Sequence, residues 1–237
     1  TVLTIRADDV TLRGLHLRGS GGSHDALDGG IMAEGNRLRI ENNVIDDVLF
    51  GISLHKSNDS VVRANRIRSL PGDVADRGDG LRLWYSTGNR IEDNDLAQMR
   101  DITVTNAPHN RFTGNTIRNS RRAFNFLFAH RSLVEDNHLE KNSTGVIALN
   151  SEGMIIRRNR ILHAMEASGA GVALKETSAA LVQGNEIVHC AHGIMADSPI
   201  NSLNRIVFIG NVIAHNVTGV YFYGVKGGHI AIDNTFR

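Results

Sequence analysis

Apolar and polar positions alternate along this chain in short bursts that recur about every 22 residues. Asparagine marks each burst, at Asn43, Asn65, Asn94, Asn115, Asn137, Asn159, Asn185, Asn211 and Asn234. Three residues before each stands Ile40, Val62, Ile91, Phe112, Val134, Ile156, Val182, Phe208 or Ala231, and two after each stands Ile45, Ile67, Leu96, Ile117, Leu139, Ile161, Ile187, Ile213 or Phe236. A second marker, usually glycine before an apolar–x–apolar run, falls at Gly51, Gly80, Gly145, Gly171, Gly193 and Gly219, with Asp101 and Ala123 as substitutes. Marker to asparagine is 14 residues in six repeats, from Gly51 to Gly171, and asparagine to marker is 8 in five, among them Asn43 and Asn211.

A period of two within each burst predicts strands, and these strands are too short to fold alone. Stacking the repeats at about 4.8 Å would pair every backbone and align the apolar positions into one continuous core. The expected fold is therefore all-β: a right-handed, single-stranded parallel β-helix of about ten coils, one domain over residues 1–237. The recurring asparagine suits a sharp bend, because Asn tolerates the left-handed conformation and its amide can bond from coil to coil. It reads as scaffold. Insertions break the period after Asn65, after Asn159 and between Gly193 and Asn211, with a further loop from Gly19 to Asp28. Such excursions decorate the faces of a solenoid, where binding sites are kept. Thr1 to Asp9 reads as a strand rather than a signal peptide, and the last coil stops just after Asn234. Truncation at one or both ends is expected, with the missing cap removed or supplied by a partner.

Composition sharpens this picture in three ways. Apolar residues make up 41 % of the chain and aromatic ones 5 %, so the core must be aliphatic. Basic and acidic residues balance at 26 to 25 without a block of either sign, which argues against nucleic acid as a partner, and no apolar run is long enough to span a bilayer. Cys190 is the single cysteine, so no disulfide framework exists. No phosphate loop, nucleophile elbow or H-E-x-x-H motif occurs, and no catalytic residue is assigned.

Three groups of side chains carry candidate chemistry. The pair after each marker strand stacks from coil to coil, and in one coil it is Trp84-Tyr85, containing the sole tryptophan. This is either a flat platform for sugar or protein or a ring packed under the 66–79 insertion. Four residues after their asparagines come His163, His189 and His215, with Met165, Cys190, His192 and Met195 nearby. Imidazole, thioether and thiolate together favour copper, although stacked ladders of like residues are also common scaffold. Asp76, Asp79, Arg82, Arg100 and Asp101 gather around one insertion. They could hold an acidic sugar or calcium, or form an ion-paired face.

The stretch Asp79-Gly80-Leu81-Arg82-Leu83-Trp84-Tyr85-Ser86, with Leu49 to His55 one coil earlier and Gly171 to Ser178 further on, resembles the NosD family. These are periplasmic β-helical proteins of nitrous oxide reductase maturation. The resemblance implies a non-catalytic periplasmic accessory protein that binds or delivers copper beside an ABC transporter, with transporter subunits and a copper chaperone or nitrous oxide reductase as partners. It also implies that the Trp84-Tyr85 column should continue in Trp-Tyr and Met-Tyr pairs. Here those positions are Thr105-Asn106, Leu127-Phe128 and Leu149-Asn150. The histidine column is the alternative copper locus in this chain. A carbohydrate-active β-helix enzyme (polysaccharide lyase, hydrolase or epimerase) or a polysaccharide-binding module is the competing reading, centred on Asp79 and Asp101.

Overall fold

Each repeat folds as three short strands separated by bends, and in a computed structural model the strands of successive repeats pair in parallel. Residues 1–199, 203–224 and 227–237 are described. Among them, three sheets of ten strands run the length of a β-helix. The first sheet runs from Leu3–Ile5 to Thr218–Phe222, the second from Thr11–Arg13 to His229–Ile232, the third from His16–Arg18 to Thr235–Phe236.

Strand length decides what each coil gives to the core. Second-sheet strands of about three residues turn only the middle one inward, as with Ile40, Val62, Ile91 and Phe112, and third-sheet strands do the same with Ile45, Ile67, Leu96 and Ile117. First-sheet strands are longer and turn two inward, for example Ile52 with Leu54 and Leu81 with Leu83. The core is mainly aliphatic, as expected, with Phe208 and a cluster of Phe112, Phe124 and Phe126, whose ring centroids lie 5.3 to 5.9 Å apart, as its aromatic members.

The asparagine ladder is continuous from Asn43 to Asn234. Each Nδ2 donates to Oδ1 of the next asparagine at about the same distance, 3.0 Å from Asn43 to Asn65 and 2.8 Å from Asn211 to Asn234. Each backbone N–H donates to the same oxygen. The asparagine itself does not take the left-handed conformation. That belongs to the residue before it: Asn42, Ala64, Asp93, Asp136, Arg158 and Asp233, with glycine at Gly114, Gly184 and Gly210. The bend comes from this neighbour, and the asparagine side chain, turned inward, satisfies the amides the bend exposes.

The glycine marker has a steric cause. A Cβ on Gly51 would lie 2.1 Å from the carbonyl oxygen of Gly80 and 2.7 Å from Ile67, and one on Gly145 would lie 2.5 Å from the Gly171 oxygen. Where Asp101 and Ala123 replace it, the pairing of Asp101–Thr105 with Arg122–Leu127 slips by one residue. That slip is a β-bulge, a device that re-aims side chains. The loops of residues 19–28 and 70–78 and the insertion after Asn159 all leave at the corner between the third and first sheets. The insertion within 193–211 includes residues 200–202, which lie outside the described residues.

Candidate functional site

Two loci emerge, a groove on the first sheet and a histidine corner further along the axis. The groove's floor is the outward column Met32, Ser53, Arg82, Thr103 and Asn125, one residue per coil. Its wall is built by the two loops, which fasten to each other where His24 Nε2 lies 3.0 Å from the carbonyl oxygen of Asp76. The His24 ring also meets Phe50 edge-on at 5.7 Å. Two adjoining hollows result, both lined by Leu27, Arg82 and Trp84. One is more apolar and reaches Met32 and His55; the other reaches Asp79, Arg100, Asp101 and Arg121.

In the polar hollow two aspartates are nearly inaccessible, Asp79 at 4 % and Asp101 at 2 % exposure. Arg100 Nε donates to Asp79 at 3.1 Å. Arg121 grips Asp101 with Nε at 3.0 Å and Nη2 at 2.5 Å, while Asn125 Nδ2 donates at 3.4 Å and Arg122 stands 3.6 Å away. Burial pushes the Asp79 carboxyl above the ordinary carboxylate range; the charge of Arg100 opposes this and that of Asp101 adds to it. Both carboxylates thus hold arginines in fixed positions at the groove. Arg82 differs from these. Its guanidinium lies 4.7 Å from the centroid of Trp84, and among the described residues no carboxylate pairs with it.

Of the platform residues expected from sequence, Asp79, Arg82, Trp84 and Asp101 come together here. Tyr85 does not line the groove: it sits beyond the strand end in a left-handed turn, 53 % exposed, its ring 6.0 Å from that of Trp84. Asp76 contributes only its backbone oxygen to the wall. Arg121, Arg122, Thr103 and Asn125 were missed in the sequence. Stepping one repeat forward from Arg100-Asp101 to Arg121-Arg122, across the two broken markers, is the signal that leads to them.

The histidine column points outward. His163, His189 and His215 occupy left-handed turn positions, are exposed, and stack with ring centroids 5.2 Å apart along the corner. Exposed Met165 lines one surface hollow with His163. The rest of the expected ligand set is dispersed. His192 and Met195 lie half-buried on the strand His192–Ala196, with His192 against Tyr221 at 6.0 Å. Cys190 follows His189 in sequence yet turns into the interior, where its backbone N–H donates to Asn216 at 2.7 Å. Burial raises its thiol above the ordinary range, so the thiolate form that binds metal is disfavoured. Among the described residues, no three His, Cys, Asp or Glu converge as a metal-holding group. In the native protein Cys190 should react with iodoacetamide more than about a hundredfold more slowly than in the unfolded chain. Mass spectrometry across a urea series measures this, and fast native alkylation would contradict the inward placement.

A third surface had no counterpart in the sequence reading. On the outward side of the second sheet, Thr11, Arg39, Val61, Arg90 and Arg111 give way to Leu133, Ile155, Leu181, Val207 and Ile230 in the same column. These five are half-buried and form a flat aliphatic stripe. Contiguous exposed apolar surface of this kind marks interaction sites.

A family model described as periplasmic copper-binding protein (NosD) matches residues 65–237. No curated protein sequence matches the chain. Among solved structures, the periplasmic alginate epimerase AlgG is similar at 14 % identity and a TM-score of 0.70, over 87 % of this chain and 51 % of that one. The catalytic unit of a GH87 alpha-1,3-glucanase from Streptomyces thermodiastaticus gives 14 % identity and 0.70 over 98 % and 49 %. The tailspike of E. coli bacteriophage HK620, in complex with pentasaccharide, gives 15 % and 0.64 over 88 % and 44 %. The chain spans about half the length of each, and identities this low carry the β-helical fold alone.

Proposed function

This chain belongs to the NosD family, and from that premise we propose that it is a non-catalytic periplasmic accessory protein that holds copper on its histidine corner during maturation of nitrous oxide reductase. The observation that carries the proposal is the outward stack of His163, His189 and His215 at one-coil spacing. Copper here is cargo, and cargo must be released. Two imidazole nitrogens that share one ion stand about 4 Å apart, twice a metal–imidazole bond of about 2 Å, so adjacent rings must tip from the stack to close on it. Exposed side chains at a turn can do so at small cost, and the Met165 thioether beside His163 favours the cuprous ion. The partners in this reading are ABC transporter subunits and a copper chaperone or the reductase. The aliphatic stripe from Leu133 to Ile230 supports such a docking role, since it lies on a face separate from the histidines.

His189 is the middle ring, so His189→Ala removes the shared member of both adjacent pairs. Anaerobic titration with Cu(I) against a chromophoric competitor should give an affinity at least about tenfold weaker for the variant, with an unchanged unfolding midpoint. Equal affinities would reduce the column to a ladder of surface rings. No stoichiometric copper binding by the unaltered protein would remove the reading altogether.

A further inference from the structure

We propose that the groove on the outer face of the first sheet binds an acidic oligosaccharide laid along the helix axis, a site separate from the histidine corner and independent of the copper reading. Four features of the groove carry this. The first is charge: Arg82, Arg100 and Arg121 line the groove with Asp79, Asp101 and Glu34, of which the two aspartates are taken up in fixing Arg100 and Arg121 and Glu34 is paired with His55. Arg82 is left to meet a ligand carboxylate, with a planar fork of donors suited to it.

The second is an aromatic surface. Trp84 is half-exposed, lines both hollows and is oriented by Arg82, which makes it a stacking partner for the apolar face of a sugar ring. The third is spacing. Ser53, Arg82, Thr103 and Asn125 present one polar group per coil. That floor repeats at about 4.8 Å, close to the advance of about 5 Å per pyranose unit, whereas an extended peptide advances about 3.3 Å per residue and falls out of step. From Met32 to Asn125 the floor covers about 19 Å, room for three to four sugar units. The fourth is the wall. Leu27 and His24 come from a loop that is pinned to Asp76 and Phe50, so the groove is shaped before a ligand arrives.

Calorimetric titration of the copper-free protein at low salt, with tetragalacturonate and tetramannuronate against neutral maltotetraose and an acidic peptide, tetraglutamate, tests the proposal. At least one uronate should bind at least about tenfold more tightly than both maltotetraose and tetraglutamate, and the affinity should fall as salt rises. Arg82→Gln and Trp84→Ala, both outward-facing, should each weaken it by about tenfold or more without lowering the unfolding midpoint. His189→Ala should leave it unchanged, so that loss of copper binding and loss of glycan binding are read separately. The proposal is overturned if the uronates bind no better than the neutral sugar, if tetraglutamate binds as tightly, or if Arg82→Gln has no effect.

Discussion

Asn115→Ala is expected to lower the unfolding free energy by about 4 kcal/mol, the loss of four hydrogen bonds to buried groups at about 1 kcal/mol each. The Oδ1 of Asn115 accepts from both the backbone N–H and the Nδ2 of Asn94, each at 3.0 Å. Its Nδ2 donates to the carbonyl oxygen of Ile91 at 2.8 Å and to Asn137 at 3.0 Å. The residue has no solvent exposure, and alanine leaves space too small and too dry for water to take over these bonds. Asn58 provides the contrast. It is only partly buried and its Oδ1 accepts from the backbone N–H of Thr87 at 2.9 Å, so water can replace its amide and Asn58→Ala should cost about 1 kcal/mol or less. Urea unfolding followed by circular dichroism measures both. Equal losses at the two positions would mean that the ladder is not held by its buried bonds.

The second large effect belongs to the phenylalanine cluster. Phe126→Ala should destabilise by about 3–5 kcal/mol, the range for emptying a fully buried aromatic site. Phe126 has no exposure, meets Phe112 edge-on at 5.3 Å and stacks on Phe124 at 5.9 Å. Its register partners are Val104 in one coil and the small Ala148 in the next. Neighbouring strands are tied to their own coils by backbone bonds and cannot collapse into the void, so the cavity persists and its cost is felt in full. Phe126→Leu, which refills most of the volume, should cost about 1 kcal/mol. A thermal melt that ranks the leucine variant with the alanine one would instead point to loss of the ring contacts themselves.

The repeat made the architecture legible because its information is local. Period two selects which residues face inward, and a 22-residue return brings like positions above one another, so Ile40, Val62 and Ile91 could be assigned to one column before any coordinates. The asparagines could be assigned to coil-to-coil bonding for the same reason. Their backbone conformation was not legible. The left-handed residue is the one before each asparagine, and at Ala64 and Arg158 the side chain gives no hint of it. Half of the groove was visible in the same way. Asp79, Arg82, Trp84 and Asp101 lie within one insertion and two strands, whereas Arg121 reaches Asp101 only through the register slip at a marker that lacks glycine.

The histidine column marks the boundary between the two kinds of information. Sequence alone determined that His163, His189 and His215 occupy one column and that Cys190 sits beside it, because both follow from counting along the repeat. It likewise determined the β-helix, the aliphatic core and the ladder. Tertiary structure decided direction and convergence. At a bend the two-residue alternation no longer applies, so the sign of φ sends the imidazoles out and leaves the adjacent thiol facing in. Stacking of coils decided that the arginines of one repeat close on the aspartates of another, and that aliphatic residues far apart in the chain line up as one half-buried outward stripe. Those outcomes depend on register between coils, a property of paired backbones rather than of any single segment.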